Sequence, residues 1–486
     1  MAQVSAAQNT PKVTLDTSQP MFAILTSINA CGYDEELNIS NPMRAQIRQE
    51  VAHNIADSED AKQAADAMCE YYRDHQDNDP SKTLTKFVSL ALYTTGPPYV
   101  AKVKDAELPP DARSIVPYLQ LLQNFYDKAG LDQIWQKHRE AYAALTDRYH
   151  EPVAKMLFET EVYLKIPSSV YLGRLFTVYL DPMGAPGEVN ARNYGSDYYV
   201  VIFPAGSTLR MEEIRHTYLH YLLDPLALKN GAAVKRLEPL LSAVKTAPLE
   251  EQFKSDISLL VTECFVRAIE ARTMGTKISD AVKEKAVQQS MEQGFILTQF
   301  FYDSLITFEK DPVGLRNAYA DLLGKVDIGK ESKQASRIEF AQTGSSELLH
   351  LARPVNSDKL LVTAEQRLSA GDLLTAQKLA QQAIDEKKED QGRALFILAQ
   401  VAIASKDMQG ARNYFEQALQ AGQEPKVVAW SHIYLGRIFD LQENREAALT
   451  HYRAALDASG SLPAAKAAAE RGIASPYEPP GGDKQR

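Results

Sequence analysis

The C-terminal part of the chain repeats itself, and this repeat limits the fold of that region more than any other sequence feature. Aligning the segments LTAQKLAQQAI, QGARNYFEQAL and EAALTHYRAAL brings alanines into two columns at spacings of 35 and 37 residues. One column contains Ala376, Ala411 and Ala448, and the other contains Ala383, Ala418 and Ala455. A repeat of this length predicts helix pairs in which each pair buries its apolar face against its neighbours.

The aligned segments resemble tetratricopeptide repeats, whose period is about 34 residues. Phe415 and Tyr452 occupy the large-residue position between the columns, and Leu435-Gly436 matches the small turn of the first helix. The first repeat departs from the pattern, with Ala380 where a large aromatic residue is usual. We therefore expect an α-solenoid of tetratricopeptide-like helix pairs at 359–476 that binds a protein or peptide partner and folds without the rest of the chain. A non-repetitive helical bundle with the same alanine spacing is the alternative.

Length and composition set the broad class of the protein. A chain of 486 residues with 45% apolar and 24% charged residues is too long for one core, and we expect two large globular units. The net charge of -10 and the lack of a dense Lys/Arg stripe argue against nucleic acid as a partner. No run of about 18 apolar residues occurs, so we expect a soluble chain with no membrane span.

The ends of the chain and its cysteines leave the compartment open. Residues 1–12 are expected to be disordered, and they lack the basic start and apolar run of a secretory signal. The chain is therefore either cytoplasmic or a mature exported protein that has lost its signal. Its cysteines are Cys31, Cys69 and Cys264, which fit a reducing compartment or one disulfide plus one buried thiol. Residues 477–486 lack any apolar period and are expected to form a disordered tail.

Hydrophobic periodicity divides the first 330 residues into two regions. Apolar residues recur every three or four positions in residues 13–160, which predicts successive helices. In residues 165–330, the runs VYLGRLFTVYL and YYVVIFPAG predict two or three strands, with helices after them. The segment MEEIRHTYLHYLLDP is predicted to be a helix that stops at Asp224-Pro225. The polar stretch 331–358 is predicted to be a linker, and the fold class is mainly α with a small β-sheet.

His216 and His220 are the strongest candidates for chemistry. They are four residues apart on the predicted helix, so both imidazoles share one face, as in zincin peptidases that present two ligands to Zn²⁺. Glu263 in VTECFVRAIEAR is the best-placed third ligand, and Glu270 is the alternative. A structural helix whose histidines are hydrogen-bonded or partly exposed explains the spacing equally well.

With these features, the first 330 residues resemble a bacterial zincin-like domain of gluzincin type, in which a helical half and an edge strand precede a HExxH helix. The resemblance rests on the run YYVVIF, on His216 and His220, on the LLDP that follows and on ECFVRAIEAR. It implies a zincin-like α+β domain with Zn²⁺, a cleft lined by YYVVIF as an edge strand, and an exported, periplasmic location. The exported habit of the family, together with the placement of Cys31 and Cys69 in neighbouring helical segments, leads us to expect a disulfide between them.

The chain departs from this family directly after the first histidine, where Thr217 replaces the catalytic glutamate. A threonine hydroxyl cannot act as a general base near neutral pH. Glu213, one turn earlier, and Glu212 are alternative carboxylates, although acidic residues in a first helical turn more commonly favour the helix dipole. Asp224 precedes Pro225 and is interpreted as a helix end rather than a ligand.

Four further side chains are candidates for the cleft or the core. Cys264 lies within an apolar helix face, so a buried thiol is favoured over a nucleophile. Tyr198 and Tyr199 are candidate cleft-lining residues, together with Tyr194, because tyrosines steady an oxyanion in some zincins. Strand packing explains these tyrosines as well and is the preferred interpretation.

Three hypotheses for the function follow from these features. The leading one is a pseudo-peptidase that keeps a metal site, binds a protein or peptide and uses the repeats for protein interaction. The second is an active zinc metallohydrolase whose general base comes from elsewhere and whose substrate is recruited by the repeats. The third is a purely helical scaffold, which would show no strand between residues 169 and 204.

Overall fold

The computed structural model describes residues 13–166, 175–194, 197–206, 208–275, 277–342, 349–351, 360–387, 389–422, 424–460 and 462–478. Within these residues the chain is mainly helical, with a mixed sheet of five strands and one short hairpin, which confirms the predicted class at that level. Residues 1–12, and residues 479–486 of the tail predicted to be disordered at 477–486, lie outside the described residues. In the described part, no helix is both long and apolar enough to cross a membrane.

The N-terminal region begins with a strand and continues with helices. Its elements are β1 (Val13–Asp16), α1 (Gln19–Ala30), α2 (Pro42–Asp57), α3 (Glu59–Asp74), α4 (Pro80–Leu92), the hairpin β2 (Thr94–Thr95) and β3 (Val100–Ala101), α5 (Pro110–Arg113), α6 (Tyr118–Lys128) and α7 (Leu131–Leu164), with 3₁₀ turns at Leu37–Ile39 and Asp105–Glu107. Side-chain caps explain where several helices begin: the Ser58 hydroxyl, for example, accepts the backbone N–H of Ala61. The helices agree with the prediction, whereas β1 is a strand within a segment predicted to be helical.

The N-terminal helices share one hydrophobic core with the sheet. Phe22 on α1 and Trp135 and Tyr142 on α7 form a row of rings whose neighbouring centroids are 5.0 Å apart. A disulfide joins Cys31, at the end of α1, to Cys69 on α3. This bond confirms the predicted cysteine pairing.

Strands from distant parts of the chain form the sheet. β4 (Leu175–Leu180), β5 (Val189–Tyr194), β6 (Asp197–Ile202) and β7 (Leu349–Leu351) join β1 in the order β1-β4-β6-β5-β7. β1 and β6 run parallel to β4, β5 is antiparallel to β6, and β7 is parallel to β5. The three strands between residues 169 and 204 exclude the purely helical scaffold.

The run YYVVIF forms a central strand, so the prediction of an edge strand is wrong. β6 pairs with β4 on one side and with β5 on the other, and β1 and β7 are the outer strands of the described sheet. Val200, Val201 and Ile202 are each 0% exposed. Apolar residues at successive positions are typical of a strand that is covered on both faces, and this signal favoured a central position.

Helices fill most of residues 211–335. They are α8 (Met211–Lys229), α9 (Gly231–Lys235), a 3₁₀ helix at Glu238–Val244, α10 (Glu251–Ser255), α11 (Ile257–Arg272), α12 (Asp280–Glu292), α13 (Thr298–Lys310), α14 (Leu315–Gly324) and α15 (Ile328–Ala335). The prediction that α8 stops at Asp224-Pro225 is wrong, because the helix continues through Pro225 to Lys229. Pro225 cannot donate a backbone hydrogen bond to the preceding turn. Burial of the Leu226 and Ala227 side chains in the core stabilises the last turn and offsets this loss.

The segment 331–358, predicted to be a linker, includes regular structure. It contains the end of α15 and the whole of β7. Its remaining parts at 343–348 and 352–358 lie outside the described residues.

The described residues of the C-terminal region form seven helices. They are α16 (Leu360–Ser369), α17 (Leu373–Glu386), α18 (Gln391–Ala404), α19 (Met408–Ala421), α20 (Pro425–Leu441), α21 (Arg445–Ser459) and α22 (Pro463–Ala474). Each helix packs against the next along the chain, and α16, α18, α20 and α22 also contact one another in succession. All six alanines of the two columns are buried, as are Phe415 and Tyr452. The small residues therefore lie where the helices approach closely.

Tyr452 shows how close this approach is. A Cβ atom at Gly436 on α20 would lie 2.7 Å from the Tyr452 ring, and Gly472 on α22 faces the same ring. The Tyr452 hydroxyl donates to Asp440 Oδ2 at 2.9 Å. The two glycines thus make room for an aromatic ring that carries a buried hydrogen bond.

The described contacts divide the chain into two compact units. The first is drawn from the ranges Met1–Pro152, Ser169–Arg210 and Leu349–Arg486, and the second from Val153–Ser168 and Met211–Leu348. The first unit therefore contains the sheet, α1–α6, α7 as far as Pro152 and the C-terminal helices. The second contains the end of α7 and the helices α8–α15.

Candidate metal centre

Helices α8 and α11 of the second unit carry the predicted ligands and pack against each other. α8 has Glu212 and Glu213 in its first turn and Lys229 in its last, an arrangement that favours the helix dipole. α11 begins after Asp256, whose carboxylate accepts the backbone N–H of Ser258 at 2.8 Å. The Asp256 cap thus defines where α11 begins.

The side chains of His216, His220 and Glu263 converge between these helices. Glu263 Oε2 lies 3.0 Å from His220 Nε2 and 3.6 Å from His216 Nε2. One ligand atom from each residue lies within 4.8 Å of the other two, and the three residues are at most 5% exposed. The predicted ligand set is therefore brought together, and it can hold a metal ion.

An unpaired atom shows that these residues fit a metal. His216 Nε2 is a buried nitrogen with no hydrogen-bond partner among the described residues. Leaving such an atom unpaired costs about 1–3 kcal/mol, whereas a metal ion accepts its lone pair. Neighbouring ligand atoms of a tetrahedral Zn²⁺ site are about 3.3 Å apart, given bonds of about 2.0–2.1 Å. The observed separations of 3.0 and 3.6 Å lie on either side of this spacing.

Carboxylates hold the second nitrogen of each imidazole. Glu270 Oε1 lies 3.0 Å from His216 Nδ1, and Asp224 Oδ1 lies 3.2 Å from His220 Nδ1. When Nδ1–H donates to a carboxylate, the neutral ring presents the lone pair of Nε2 to the ligand group. Glu270, the predicted alternative ligand, and Asp224, predicted to be a helix end, therefore orient the histidines instead.

Arg267 holds the second oxygen of Glu263. Its Nε donates to Glu263 Oε1 at 2.6 Å, and its Nη1 donates to Gln293 Oε1 at 3.0 Å. The guanidinium also lies 3.9 Å from the centre of the Phe295 ring. These contacts leave Glu263 Oε2 directed at the histidines. Arg267 was not predicted, although its position four residues after Glu263 on one helix was a signal for this pair.

The charged groups around the imidazoles require two positive charges to balance them. Three carboxylates and one guanidinium, with a net charge of −2, surround the rings: Glu263, Glu270, Asp224 and Arg267. Without metal, burial lowers the pKa of His216, but Glu270 and Glu263 outweigh burial and raise it to about 10. Burial also lowers the pKa of His220, while Asp224 and Glu263 raise it to about 9. Two protons or one divalent cation can therefore balance the site, and they compete for the same nitrogens.

Thr217, which follows His216 at the position predicted for a general base, is fully buried. Its hydroxyl donates to the backbone carbonyl of Glu213 at 3.0 Å, a hydrogen bond within the helix. A threonine hydroxyl is too weak a base to take a proton from a bound water near neutral pH. Glu212 is exposed and Glu213 is half-buried, and neither belongs to the converging ligand group of the described residues. The residue directly after His216 therefore has a hydroxyl that is hydrogen-bonded within its own helix.

Cys264 lies next to Glu263 on α11 and is 0% exposed. Burial raises the pKa of its thiol to about 12, so little thiolate forms at neutral pH. The predicted core thiol is confirmed.

The candidate cleft tyrosines lie on the sheet of the first unit. Tyr198 and Tyr199 are on β6, and Tyr194 is on β5. Tyr199 stacks with Tyr179 at a ring separation of 6.3 Å, and the Tyr194 hydroxyl lies 2.8 Å from the Ser89 hydroxyl. Tyr198 is 2% exposed. Packing within the sheet accounts for these contacts, as the preferred interpretation expected.

The chain matches no protein-family model, no curated protein and no solved structure. The resemblances to a zincin-like domain and to tetratricopeptide repeats stay predictions.

Proposed function

We propose that this chain is a zincin-like protein of gluzincin type that binds Zn²⁺ through His216, His220 and Glu263 but has lost its general base. It acts by binding a protein or peptide, and its tetratricopeptide-like α-solenoid at 359–476 takes part in that interaction. The observation that carries the proposal is a converging group of two histidines and one glutamate, with Thr217 directly after the first histidine.

The ligand set supports zinc among the divalent metals. Two imidazoles and one carboxylate are the protein ligands of catalytic zinc sites that leave a fourth position open. Zn²⁺ bound there would supply Lewis-acid chemistry. Glu270 and Asp224 orient the imidazoles, and Arg267 directs Glu263. The Thr217 hydroxyl cannot act as a general base near neutral pH. The residues of this chain therefore support binding of a peptide rather than its hydrolysis.

The C-terminal helices support the repeat assignment. Consecutive helices pack in chain order, and both alanine columns are buried at the contacts between them. Such stacks present an extended surface to a partner, with each repeat contributing one section of it.

Metal content is the first test. The protein is purified without chelator, and its metal is measured by elemental analysis. One equivalent of zinc is expected, and His220→Ala should lose it because that substitution removes a ligand. A wild-type protein that takes up no stoichiometric metal would refute the metal claim and leave the histidines as structural residues.

Position 217 is the second test. The Thr217→Glu variant restores a carboxylate, and Thr217→Gln is the matched control because it has nearly the same shape without the charge. General-base help is worth about 10² to 10⁴ in rate, so hydrolysis of a peptide library should appear with glutamate and not with glutamine. Adding His220→Ala should abolish it.

Peptide hydrolysis by the wild-type protein distinguishes the two functional hypotheses. This measurement remains possible even if a buried glutamate at position 217 prevents folding of the variant. The wild type is expected to show no hydrolysis. Peptide cleavage by the wild type that disappears in Glu263→Ala would overturn the pseudo-peptidase proposal and favour an active metallohydrolase with another base.

A further inference from the structure

The last described residues of the chain lie against the C-terminal helices. α22 ends at Ala474, and the backbone at Ser475 is extended, with φ −149° and ψ 149°. Along residues 475–478 the side chains alternate between half-buried and exposed, as they do in an extended strand. Tyr477 is one of the half-buried residues, although the sequence placed it in a disordered tail.

The Tyr477 side chain is held by an arginine. The guanidinium of Arg437 on α20 lies 5.0 Å from the centre of the Tyr477 ring and 5.3 Å from the centre of the Tyr434 ring. Arg437 is only 8% exposed. A cation between two aromatic rings favours an aromatic side chain at the place that Tyr477 occupies.

The Tyr477 backbone is held by a buried carboxylate. Its N–H donates to Asp440 Oδ2 at 2.8 Å, and the Asp440 side chain is 0% exposed. Asp440 also accepts from the Tyr452 hydroxyl and from Arg445 Nη1, each at 2.9 Å. Because Tyr452 and Arg445 orient this carboxylate, the acceptor is ready for an extended chain before the tail arrives.

The side of α20 that carries Arg437 contacts another segment of the chain near the start of the helix. Residues 426 and 437 are about three helical turns apart, so they project from one side of the helix. Lys426 Nζ lies 2.5 Å from Asp197 Oδ2 on β6. Other parts of the chain therefore cover this side of α20 at both ends. Asp197 of the sheet lies at Lys426, and the segment with Tyr477 lies at Arg437.

We propose that Arg437 and Asp440 form a peptide-binding position of the repeats that the tail occupies in cis. The partner is a protein with an extended segment whose aromatic residue takes the place of Tyr477. This inference rests on the proposed function of the repeats in binding a protein or peptide. Tyr477 contributes one backbone hydrogen bond and one cation–π contact, and an aromatic residue in an extended segment of a partner can make both, so a partner can displace the tail.

The test uses the full chain and a synthetic peptide of residues 475–486, SPYEPPGGDKQR. Binding is measured by saturation-transfer NMR on the tyrosine ring protons of the peptide, a method that detects weak complexes. The tethered tail has an effective concentration in the millimolar range, so it competes strongly with free peptide. The full-length Tyr477→Ala variant is expected to bind the peptide at least tenfold more tightly than the wild type.

Matched variants locate the effect. Glu478→Ala changes the exposed neighbour and should behave as the wild type. Adding Arg437→Ala to the Tyr477→Ala chain should abolish peptide binding. A peptide in which alanine replaces tyrosine should not compete, so adding it should leave the saturation-transfer signal of the tyrosine peptide unchanged. Equal binding by the wild type and Tyr477→Ala, or no binding by Tyr477→Ala, would overturn the proposal. Zinc content, measured on the same proteins, reports on the metal claim separately.

Discussion

The imidazole of His216 and the carboxylate of Glu270 are joined by a contact of 3.0 Å between Nδ1 and Oε1. Glu270 lies two turns after Glu263 on α11, so one helix supplies both a candidate ligand and the group that orients another candidate ligand. A histidine that keeps its ring orientation before metal arrives loses less entropy on binding.

Replacing Glu270 with alanine should therefore weaken zinc binding by about 10- to 100-fold, the usual cost of removing a carboxylate behind a ligating histidine. The measurement is a competition titration against a zinc indicator. Glu251→Ala is the control, because that side chain is 88% exposed and its carboxylate pairs with Lys254 on the same helix. An unchanged zinc affinity in Glu270→Ala would show that His216 does not need this partner.

The Gly436→Ala variant should destabilise the C-terminal helices. Alanine normally favours a helix interior by about 1 kcal/mol over glycine, but here its Cβ atom would lie 2.7 Å from the Tyr452 ring. Overpacking of this kind costs about 1–3 kcal/mol, so the free energy of unfolding in urea should fall. Gly324→Ala is the control, since nothing lies within 4 Å of its added Cβ, and it should be neutral or slightly stabilising. A stabilised Gly436→Ala protein would contradict the packing described for Tyr452.

Asp181 should make the stability of the protein depend on pH. Burial raises the pKa of this carboxyl from 3.8 to about 7, although the Met183 N–H and the Tyr142 hydroxyl donate to it. The pKa is higher in the folded state than in the unfolded state. The contribution of the protonated Asp181 carboxyl to the free energy of unfolding is therefore complete below pH 4 and is lost as the pH rises to about 7.

The isosteric Asp181→Asn variant should lack this dependence, because an amide resembles the protonated carboxyl. Between pH 4 and 7 the free energy of unfolding of the wild type should fall relative to Asp181→Asn by roughly 4 kcal/mol, at about 1.4 kcal/mol per pH unit. Denaturant titrations at several pH values measure it. Parallel curves for the two proteins would show that Asp181 is ionised in the folded state.

The disulfide between Cys31 and Cys69 should leave one titratable thiol, Cys264, in unreduced, denatured protein. Closing a loop over a sequence separation of 38 residues is worth about 2–5 kcal/mol. Reductant should therefore lower the unfolding temperature of the wild type to that of a Cys31→Ser, Cys69→Ser protein and leave the latter unchanged. Three free thiols in protein recovered from an oxidising compartment would rule the bond out.

Local spacing predicted the core of the metal centre. His216 and His220 must share a helix face because they are four residues apart, and Glu263 was identified by its residue type on a second helix. The roles of Glu270 and Arg267 were not predicted, because they depend on the register between α8 and α11. That register is set by the packing of many side chains and is not contained in the spacing along either helix.

The sheet shows a second limit of sequence reasoning. Strand content near residues 169–204 was predicted, because β-branched and aromatic runs report local preference and burial. The order of the strands depends on pairing between distant segments, so the central position of β6 was mistaken for an edge. β1 has only four residues, too few for a periodic signal within a helical region.

The strand order also has a consequence for the order of events during synthesis on the ribosome. β1 is made first and β7 only after residue 348, yet both belong to the same sheet. His216, His220 and Glu263 all leave the ribosome before β7 does. A nascent chain that pauses before Leu349 therefore already contains the whole ligand set, while its sheet still has an unpaired edge at β5 that is open to association with other chains.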